Sequence, residues 1–246
     1  MNRTGFYLYA SNRMEVLSDA FSNIVQEEQV LAPHIAVVPN SGMEQWVSQE
    51  VALKNGICAN TRFYFPNRFF NKVCDILLKS KQIEDRYQKP ITTLKLYSIL
   101  NSLEKVKQFP EIDRYLFSPD LPFSEGSFRR FQFAEMMAEL YDQYIIFRPH
   151  EINQWDRGKL PTEKQFLWQG RLWRELTNSL GRPAHHRAWQ LQRFLEVLTK
   201  PLLQPFPFSK ISVFGISYLP PFYLTFFAAL SKICEVHWFA LNPSQE

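Results

Sequence analysis

The chain has 246 residues with 46% hydrophobic residues, enough to bury a core in one large domain or two small ones. Its formal charge of +4 is too small to indicate a nucleic-acid partner by itself. Its three cysteines are widely spaced and include no C-x-x-C pair, which argues against a disulfide framework or a zinc site and is typical of a reducing cytoplasm. No apolar run reaches the roughly 18 residues of a membrane span, and the short run in Met1–Leu8 does not predict a signal peptide.

The first 84 residues alternate between short apolar runs, which predict strands, and amphipathic stretches, which predict helices. The predicted buried strands are Phe6–Ala10, Ile35–Val38 and Thr61–Phe65. The predicted helices are Arg13–Gln29 with Ser11-Asn12 as its N-cap, one that includes Met43 to Val51, and Phe69–Leu78. This βαβαβα order implies a parallel sheet, and strands without polar alternation suit a sheet with helices on both faces.

Helical periodicity replaces the strand pattern from about residue 85 to about residue 204. Four amphipathic helices are predicted there, around Leu100, Leu140, Leu176 and Leu195, with proline-containing breaks such as Phe117–Pro122 between them. Strands return at Ile211–Phe214 and Glu235–Leu241, on either side of a helix at Pro221–Lys232. We therefore predict an α/β domain formed by residues 1–84 and 205–246, interrupted by an all-helical insertion of residues 85–204.

The motifs of ATP hydrolysis are missing from the predicted strand ends. A Walker A loop needs G-x-x-x-x-G-K-[ST], because its glycines expose backbone N–H groups and its lysine holds phosphate. The turn after the first strand, Tyr9–Arg13, has neither glycine nor lysine, and the one Gly-Lys pair, Gly158-Lys159, lies in the helical region. The strand Ile211–Phe214 is followed by Gly215-Ile216-Ser217 where a Walker B acid would hold magnesium. ATP hydrolysis by this chain is not expected.

A second strand–turn–helix lies at Ile35–Asn60, where a strand meets Pro39-Asn40-Ser41-Gly42 and a helix follows at once. Nucleotide- and nucleic-acid-binding α/β proteins place ligands at such helix N-termini. The segment has no phosphate-binding lysine. It therefore indicates a ligand-facing turn and not a phosphate loop.

Polar residues in the second predicted insertion helix allow three interpretations. Glu139 and Asp142 lie one helical turn apart and could touch a metal, although a solvated helix face is the commoner explanation. Glu139, Asp142, Gln143 and Ile146 also form a predicted stripe beside the apolar face, and carboxylate and amide groups can contact base edges. The adjacent pair His185-His186 has no further ligand at metal-binding spacing.

Several segments, in this order, resemble the RecC family, the gamma subunits of exodeoxyribonuclease V (the RecBCD helicase–nuclease). They are YASNRMEVL, VVPNSGMEQWV, NGICAN with FPNRFF, YDQYIIFRP, RPAHHRAWQLQRFLE, VFGISYLPPFYLTFFAAL and ALNP. Members of this family are longer, so the resemblance implies an N-terminal portion. It also implies a P-loop-NTPase-like fold: a superfamily 1 helicase 1A-like parallel sheet without ATPase function, interrupted by a 1B-like helical insertion. The lost phosphate loop would then correspond to Tyr9–Met14.

The resemblance further implies a non-catalytic segment that holds single-stranded DNA and scans it for a Chi-type sequence during double-strand break repair and recombination. The implied partners are single-stranded and forked DNA and RecB-like and RecD-like subunits, which would use ATP and magnesium themselves; the implied location is the bacterial cytoplasm, at the nucleoid. Physically, arginines could hold phosphates, amides could contact bases and Phe65 could stack. The matching DNA-binding positions are Ser41, Gln45, Phe65, Asn71, Glu139, Leu140, Asp142, Gln143, Arg148 and Arg187.

Three positions depart from the family's familiar residues: Pro39 replaces a glutamine, Asn71 a tryptophan and Glu139 an aspartate. These departures bear on recognition of the same Chi sequence and not on the passage of DNA. The residues alone also allow purely structural roles: Phe65 could belong to the core, and Arg148 could cap the carboxyl end of its helix. Two other functions also stay open: a protein-docking module for the motor subunits, and a metal-dependent nuclease that uses Glu139 and Asp142.

Overall fold

The computed structural model describes residues 4–27, 33–78, 86–102, 107–116, 123–202 and 204–242. In chain order, the described elements are β1 (Gly5–Ser11), α1 (Met14–Glu27), β2 (His34–Val37), α2 (Ser41–Asn55), β3 (Thr61–Tyr64), α3 (Pro66–Leu78), α4 (Lys89–Leu100), α5 (Pro110–Leu116), α6 (Phe123–Phe147), α7 (Pro149–Asp156), α8 (Lys164–Leu180), α9 (Arg187–Val197), β4 (Lys210–Phe214), α10 (Pro221–Leu230) and β5 (Glu235–Leu241). Two short helices, α5 and α7, were not predicted from the sequence.

The chain forms two compact units. An α/β unit comprises residues 1–81 and 193–246, and a helical unit comprises residues 82–192. The predicted first boundary at 84/85 and the predicted break at Phe117–Pro122 lie outside the described residues. The second boundary falls within α9, between residues 192 and 193, whereas the sequence prediction placed it at 204/205.

The α/β unit contains a five-stranded parallel sheet in the order β1-β5-β4-β2-β3. This confirms the predicted parallel sheet. β2 is buried throughout, and β4 and β5 nearly so. The prediction that Phe6–Ala10 is buried was wrong, because β1 is an edge strand with a neighbour on one side only, and Leu8 is 67% exposed.

Helices cover both faces of this sheet, and aromatic rings provide much of the contact. On one face, Phe21 of α1 packs edge-on against Phe214 and Phe239, and a buried cluster joins them to α2. On the other face, Trp238 meets Phe227 of α10, since successive strand residues point to opposite faces. Burial of each such ring stabilises the fold by about 1.5–3 kcal/mol. The rings buried beneath α3 and α10 are Phe69, Phe70, Phe222, Phe226 and Phe227.

The helical unit is built around α6, which packs against α4, α5 and α7. The predicted apolar face is largely confirmed, because Phe133, Met137, Tyr141 and Ile145 are all buried. Two positions were wrong: Met136, predicted to be apolar-facing, is 54% exposed, and Ile146, predicted in the polar stripe, is 8% exposed. Over a 25-residue helix the apolar face drifts, because 3.6 residues per turn does not match a strict 3–4 repeat.

Candidate nucleic-acid interface

The turn after β2 forms the N-cap of α2. Asn40 adopts an extended backbone, and its side-chain oxygen accepts a hydrogen bond from the Met43 N–H at 2.9 Å. Ser41 and Gly42 therefore belong to the first turn of the helix and do not precede it as predicted. Both are exposed, as is Gln45 one turn later. Backbone N–H groups in a first helical turn lack carbonyl partners within the helix, so this end carries exposed donors and partial positive charge.

Phe65 comes directly after β3 and is partly buried against the core cluster between the sheet and helices α1 and α2. The Arg68 guanidinium lies 5.9 Å from the centre of its ring. Asn71 lies on the same helix as Arg68, α3, and is exposed. Part of the Phe65 ring thus serves the core, and part is accessible beside a cation.

The turn after β4 packs against the first turn of α2. Gly215 has φ +68°, and a Cβ added there would lie 2.8 Å from the Met43 methyl carbon. A few residues later Tyr218 is 72% exposed. Tyr218 was not among the residues predicted from the sequence, although a large aromatic residue in a proline-rich turn after a buried strand was a usable signal.

All strands are parallel, so the turns after β2, β3 and β4 lie along one edge of the sheet. Ligands of open parallel sheets bind outside this carboxyl edge. Along this edge lie the N-terminus of α2 and the turns that carry Phe65 and Tyr218. The edge therefore offers N–H donors for anions and aromatic surface for bases.

The helical unit holds the other predicted residues, most of them on α6. Glu139 is exposed, and its carboxylate accepts a hydrogen bond from the Lys89 ammonium at 2.7 Å. This contact with Lys89, together with a hydrogen bond from Gln143, lowers the pKa of the Glu139 carboxyl. Leu140 is half-buried, and Gln143 is exposed.

Asp142 and Arg187 form an ion pair with each other, although 45 residues separate them in the sequence. The Arg187 side chain is 18% exposed and the Asp142 side chain 40% exposed. The two groups were predicted separately as a phosphate contact and a base contact. The structure brings them together as partners.

Arg148 lies between α6 and α7. Its guanidinium stands 5.1 Å from the centre of the Tyr144 ring and 3.5 Å from the Glu151 carboxylate, in the first turn of α7. The side chain therefore faces the start of α7, in contrast to the alternative that it caps the end of α6. Arg148 and Tyr144 line a cavity of about 360 Å³ that Lys159, Phe166 and Gln169 also line.

His186 anchors the N-terminus of α9, directly before Arg187. Its Nε2 lies 2.6 Å from the Asp156 carboxylate, and its Nδ1 accepts the Trp189 N–H at 3.1 Å. Asp156 also accepts the indole N–H of Trp173 at 2.9 Å. His186 is fully buried, so the pair His185-His186 contributes a structural residue. Among the described residues, no group of three His, Cys, Asp or Glu is close enough to hold a metal ion.

The three cysteines are free thiols in the structure. Burial, reinforced by the neighbouring Glu235 carboxylate, raises the pKa of the Cys234 thiol to about 12. Burial likewise raises the pKa of Cys74. Nucleophilic thiol chemistry needs the thiolate, so these two residues are inert packing groups. In the part of the chain that the structure describes, no helix is long and apolar enough to cross a membrane.

The predicted site residues thus fall into two groups, one in each unit. Ser41, Gln45, Phe65 and Asn71 lie in the α/β unit, the first three close to the carboxyl edge of the sheet. Glu139, Leu140, Asp142, Gln143, Arg148 and Arg187 lie in the helical unit.

Comparison with known proteins identifies the family. The family described as "RecC, N-terminal domain" matches residues 6–246. The RecBCD enzyme subunit RecC of Escherichia coli K12 is 34% identical over 96% of this chain and 21% of its own length. That of Haemophilus influenzae is 29% identical over 98% of this chain and 24% of its length, and that of Mycolicibacterium smegmatis is 22% identical over 97% and 21%. The chain spans between a fifth and a quarter of the length of these relatives, and it belongs to the RecC family, within the N-terminal domain.

Proposed function

We propose that this chain is a non-catalytic, DNA-binding and scaffolding part of a RecBCD-type helicase–nuclease, and that it holds and scans single-stranded DNA. The observation that carries the proposal is the exposed carboxyl edge of a parallel sheet in a chain whose relatives are RecBCD enzyme subunits. On this basis the α/β unit corresponds to a helicase 1A domain and the helical unit to a 1B insertion.

The turn after β1 supports a non-catalytic role. Only Asn12 and Arg13 separate β1 from α1. A Walker A motif spans about eight residues, because its backbone must wrap around phosphates. At the corresponding end of β4, Gly215 stands where a magnesium-binding acid would be needed. The carboxyl edge therefore offers a ligand surface without the groups that hydrolyse ATP.

DNA would lie along that edge by two kinds of contact. The exposed N–H groups at the start of α2, beside Ser41, suit a backbone phosphate. Tyr218 and the accessible part of Phe65 suit stacked bases, and Gln45 could donate and accept hydrogen bonds at a base edge. Asn71 is exposed on the adjacent helix α3 and can extend the contact.

In the helical unit, Gln143 and Arg148 are the accessible groups for bases and phosphates. Asp142 and Arg187 neutralise each other, so Arg187 would hold the Asp142 carboxylate in one position at the helix surface. Lys89 holds Glu139 in the same way. Because each carboxylate already has a cation, this arrangement favours base readout over the alternative of a metal-dependent nuclease.

A decisive experiment measures binding of a fluorescent single-stranded oligonucleotide by the 246-residue chain. Tyr218→Ala should weaken binding by about 1–3 kcal/mol, the usual contribution of one base–aromatic stack. Tyr115→Ala is the matched control, because Tyr115 is also an exposed tyrosine, at 50%, but lies on α5 in the other unit. Equal effects of the two substitutions, or ATP hydrolysis that co-purifies with the chain, would contradict the proposal.

Docking to RecB-like or RecD-like subunits is a second candidate role, favoured by an apolar surface on the helical unit. Phe131 of α6 contacts the ring of Tyr97 on α4, and on the same two helices Leu94 and Phe128 are 62% and 63% exposed. Such a surface is characteristic of protein interfaces. A Leu94→Ser, Phe128→Ser variant should lose co-purification with the motor subunits but keep oligonucleotide binding. Unchanged co-purification would remove this role.

A further inference from the structure

A cavity of about 350 Å³ opens along α8, and two arginines form part of its wall. Arg171 and Arg174 are three residues apart on the helix, so their side chains lie on the same face. Gln108, Phe109, Leu160, Glu175 and Asn178 complete the lining. None of these residues was predicted from the sequence to have a function.

Neither guanidinium group has a counter-ion among the residues that the structure describes: neither is within 4.0 Å of a carboxylate there, and the Nε of Arg174 is buried without a hydrogen-bond partner. Among the described residues of the lining, one is acidic, Glu175, against two arginines. A buried donor without an acceptor is unfavourable, and two like charges one turn apart repel each other. An anion in the cavity would relieve both penalties.

The wall around the arginines supplies space and further hydrogen-bond donors. Gly158 has φ +85° and lies beside Arg174: a Cβ there would be in ordinary van der Waals contact with Nη1, at 3.5 Å. The Asn178 side-chain oxygen accepts a hydrogen bond from the Arg182 Nε–H, so the N–H groups of the same amide point in another direction.

We propose that this cavity binds a phosphate group of a nucleic-acid backbone. Guanidinium groups bind phosphate through paired, charge-assisted hydrogen bonds, and the amide groups add donors from other directions. Only the source of the phosphate rests on the function proposed above. The site lies in the same unit as Gln143 and Arg148, and it would fix the position of the strand without reading its sequence.

The test uses Arg171→Gln, Arg174→Gln and the double variant, with Arg114→Gln as the matched control because Arg114 is exposed on α5 and does not line the cavity. The first measurement is the unfolding temperature in sodium phosphate against sodium chloride at equal ionic strength. Phosphate should raise it for the wild-type chain and the control, and the double variant should show no such rise. Arg171 is exposed, so its single variant keeps the test valid if Arg174→Gln fails to fold.

The second measurement is the salt dependence of single-stranded oligonucleotide binding. The slope of log K against log salt should fall by about 0.7 for each phosphate that a variant no longer neutralises, and by nothing in the control. A wild-type chain that does not respond to phosphate overturns the site, even if it binds DNA elsewhere. A phosphate response without any DNA binding, or equal stabilisation by poly-glutamate, overturns the nucleic-acid source and indicates an acidic protein ligand.

Discussion

The contact between Asp156 and His186 gives the sharpest prediction for stability. Asp156→Ala removes the acceptor of two hydrogen bonds, from the indole of Trp173 at 2.9 Å and from the imidazole of His186 at 2.6 Å. His186 and Trp173 are both completely buried, so neither donor can turn to water without opening the core. The perturbation therefore leaves two buried donors without partners.

The expected loss follows from those two donors. Each unsatisfied buried donor costs about 1–3 kcal/mol. The Asp156 side chain is 16% exposed, which lets water approach one of them, so we expect a total of about 3 kcal/mol. For a chain of this size that is a fall of roughly 6–12 °C in unfolding temperature. Asp156→Asn keeps one acceptor oxygen and should lose about half as much.

Urea unfolding followed by tryptophan fluorescence measures this loss. Four of the six tryptophans, Trp155, Trp168, Trp173 and Trp189, lie in the helical unit, so the signal reports that unit. Glu135→Ala is the control, because Glu135 is exposed on α6 in the same unit and should change stability by no more than about 0.5 kcal/mol. If Asp156→Ala matched this control, the two hydrogen bonds would contribute nothing to stability.

Burial lowers the pKa of the His34 imidazole to about 3. The unfolded chain therefore binds a proton at this residue near pH 6.5, and the folded chain does not. The free energy of unfolding should therefore fall as pH drops from 6.5 towards 3, by up to about 1.4 kcal/mol per pH unit. In urea melts, His34→Gln should reduce this dependence on pH, and a substitution of an exposed histidine, His150→Gln, should not. A double-mutant cycle of Asp142→Asn and Arg187→Gln should give a coupling of about 0.5–1 kcal/mol, since the pair is partly exposed; zero coupling would refute the pairing. Gly215→Ala should cost about 1–2 kcal/mol because φ there is +68°, and an unchanged melt would count against that backbone.

The parallel sheet was predictable because its strands are short, mostly apolar segments without regular polar alternation, which is the pattern of strands covered on both faces. The edge position of β1 was not. Its run Phe6–Ala10 resembles the buried β2, and strand order depends on how the crossovers connect. The helical pattern likewise predicted the core of α6 but misplaced Met136 and Ile146. A period of 3.6 residues gives the spacing of buried positions, but it does not give the centre of the buried face.

The site was less predictable because its chemistry depends on neighbours distant in sequence. Asp142 and Arg187 look like two independent charged groups until the fold pairs them. The opposite holds for Arg171 and Arg174, where the sequence offers Glu175 as a nearby partner but the fold leaves both arginines without a carboxylate among the described residues. Pairing determines which charges can bind a ligand, and sequence spacing cannot reveal it across separate helices.

In the proposed function, DNA binding and ATP hydrolysis would depend on different turns of the sheet. Phosphate-loop chemistry depends on the turn after β1, which here has only two residues. DNA contacts of the kind proposed depend on the turns after β2, β3 and β4, whose N–H donors and aromatic rings need no lysine and no metal ion. A two-residue turn is too short for a phosphate cradle, and the other three turns lie on the same sheet edge. A lysine introduced as Arg13→Lys should therefore create no ATPase activity, because the backbone that would surround the phosphates is absent.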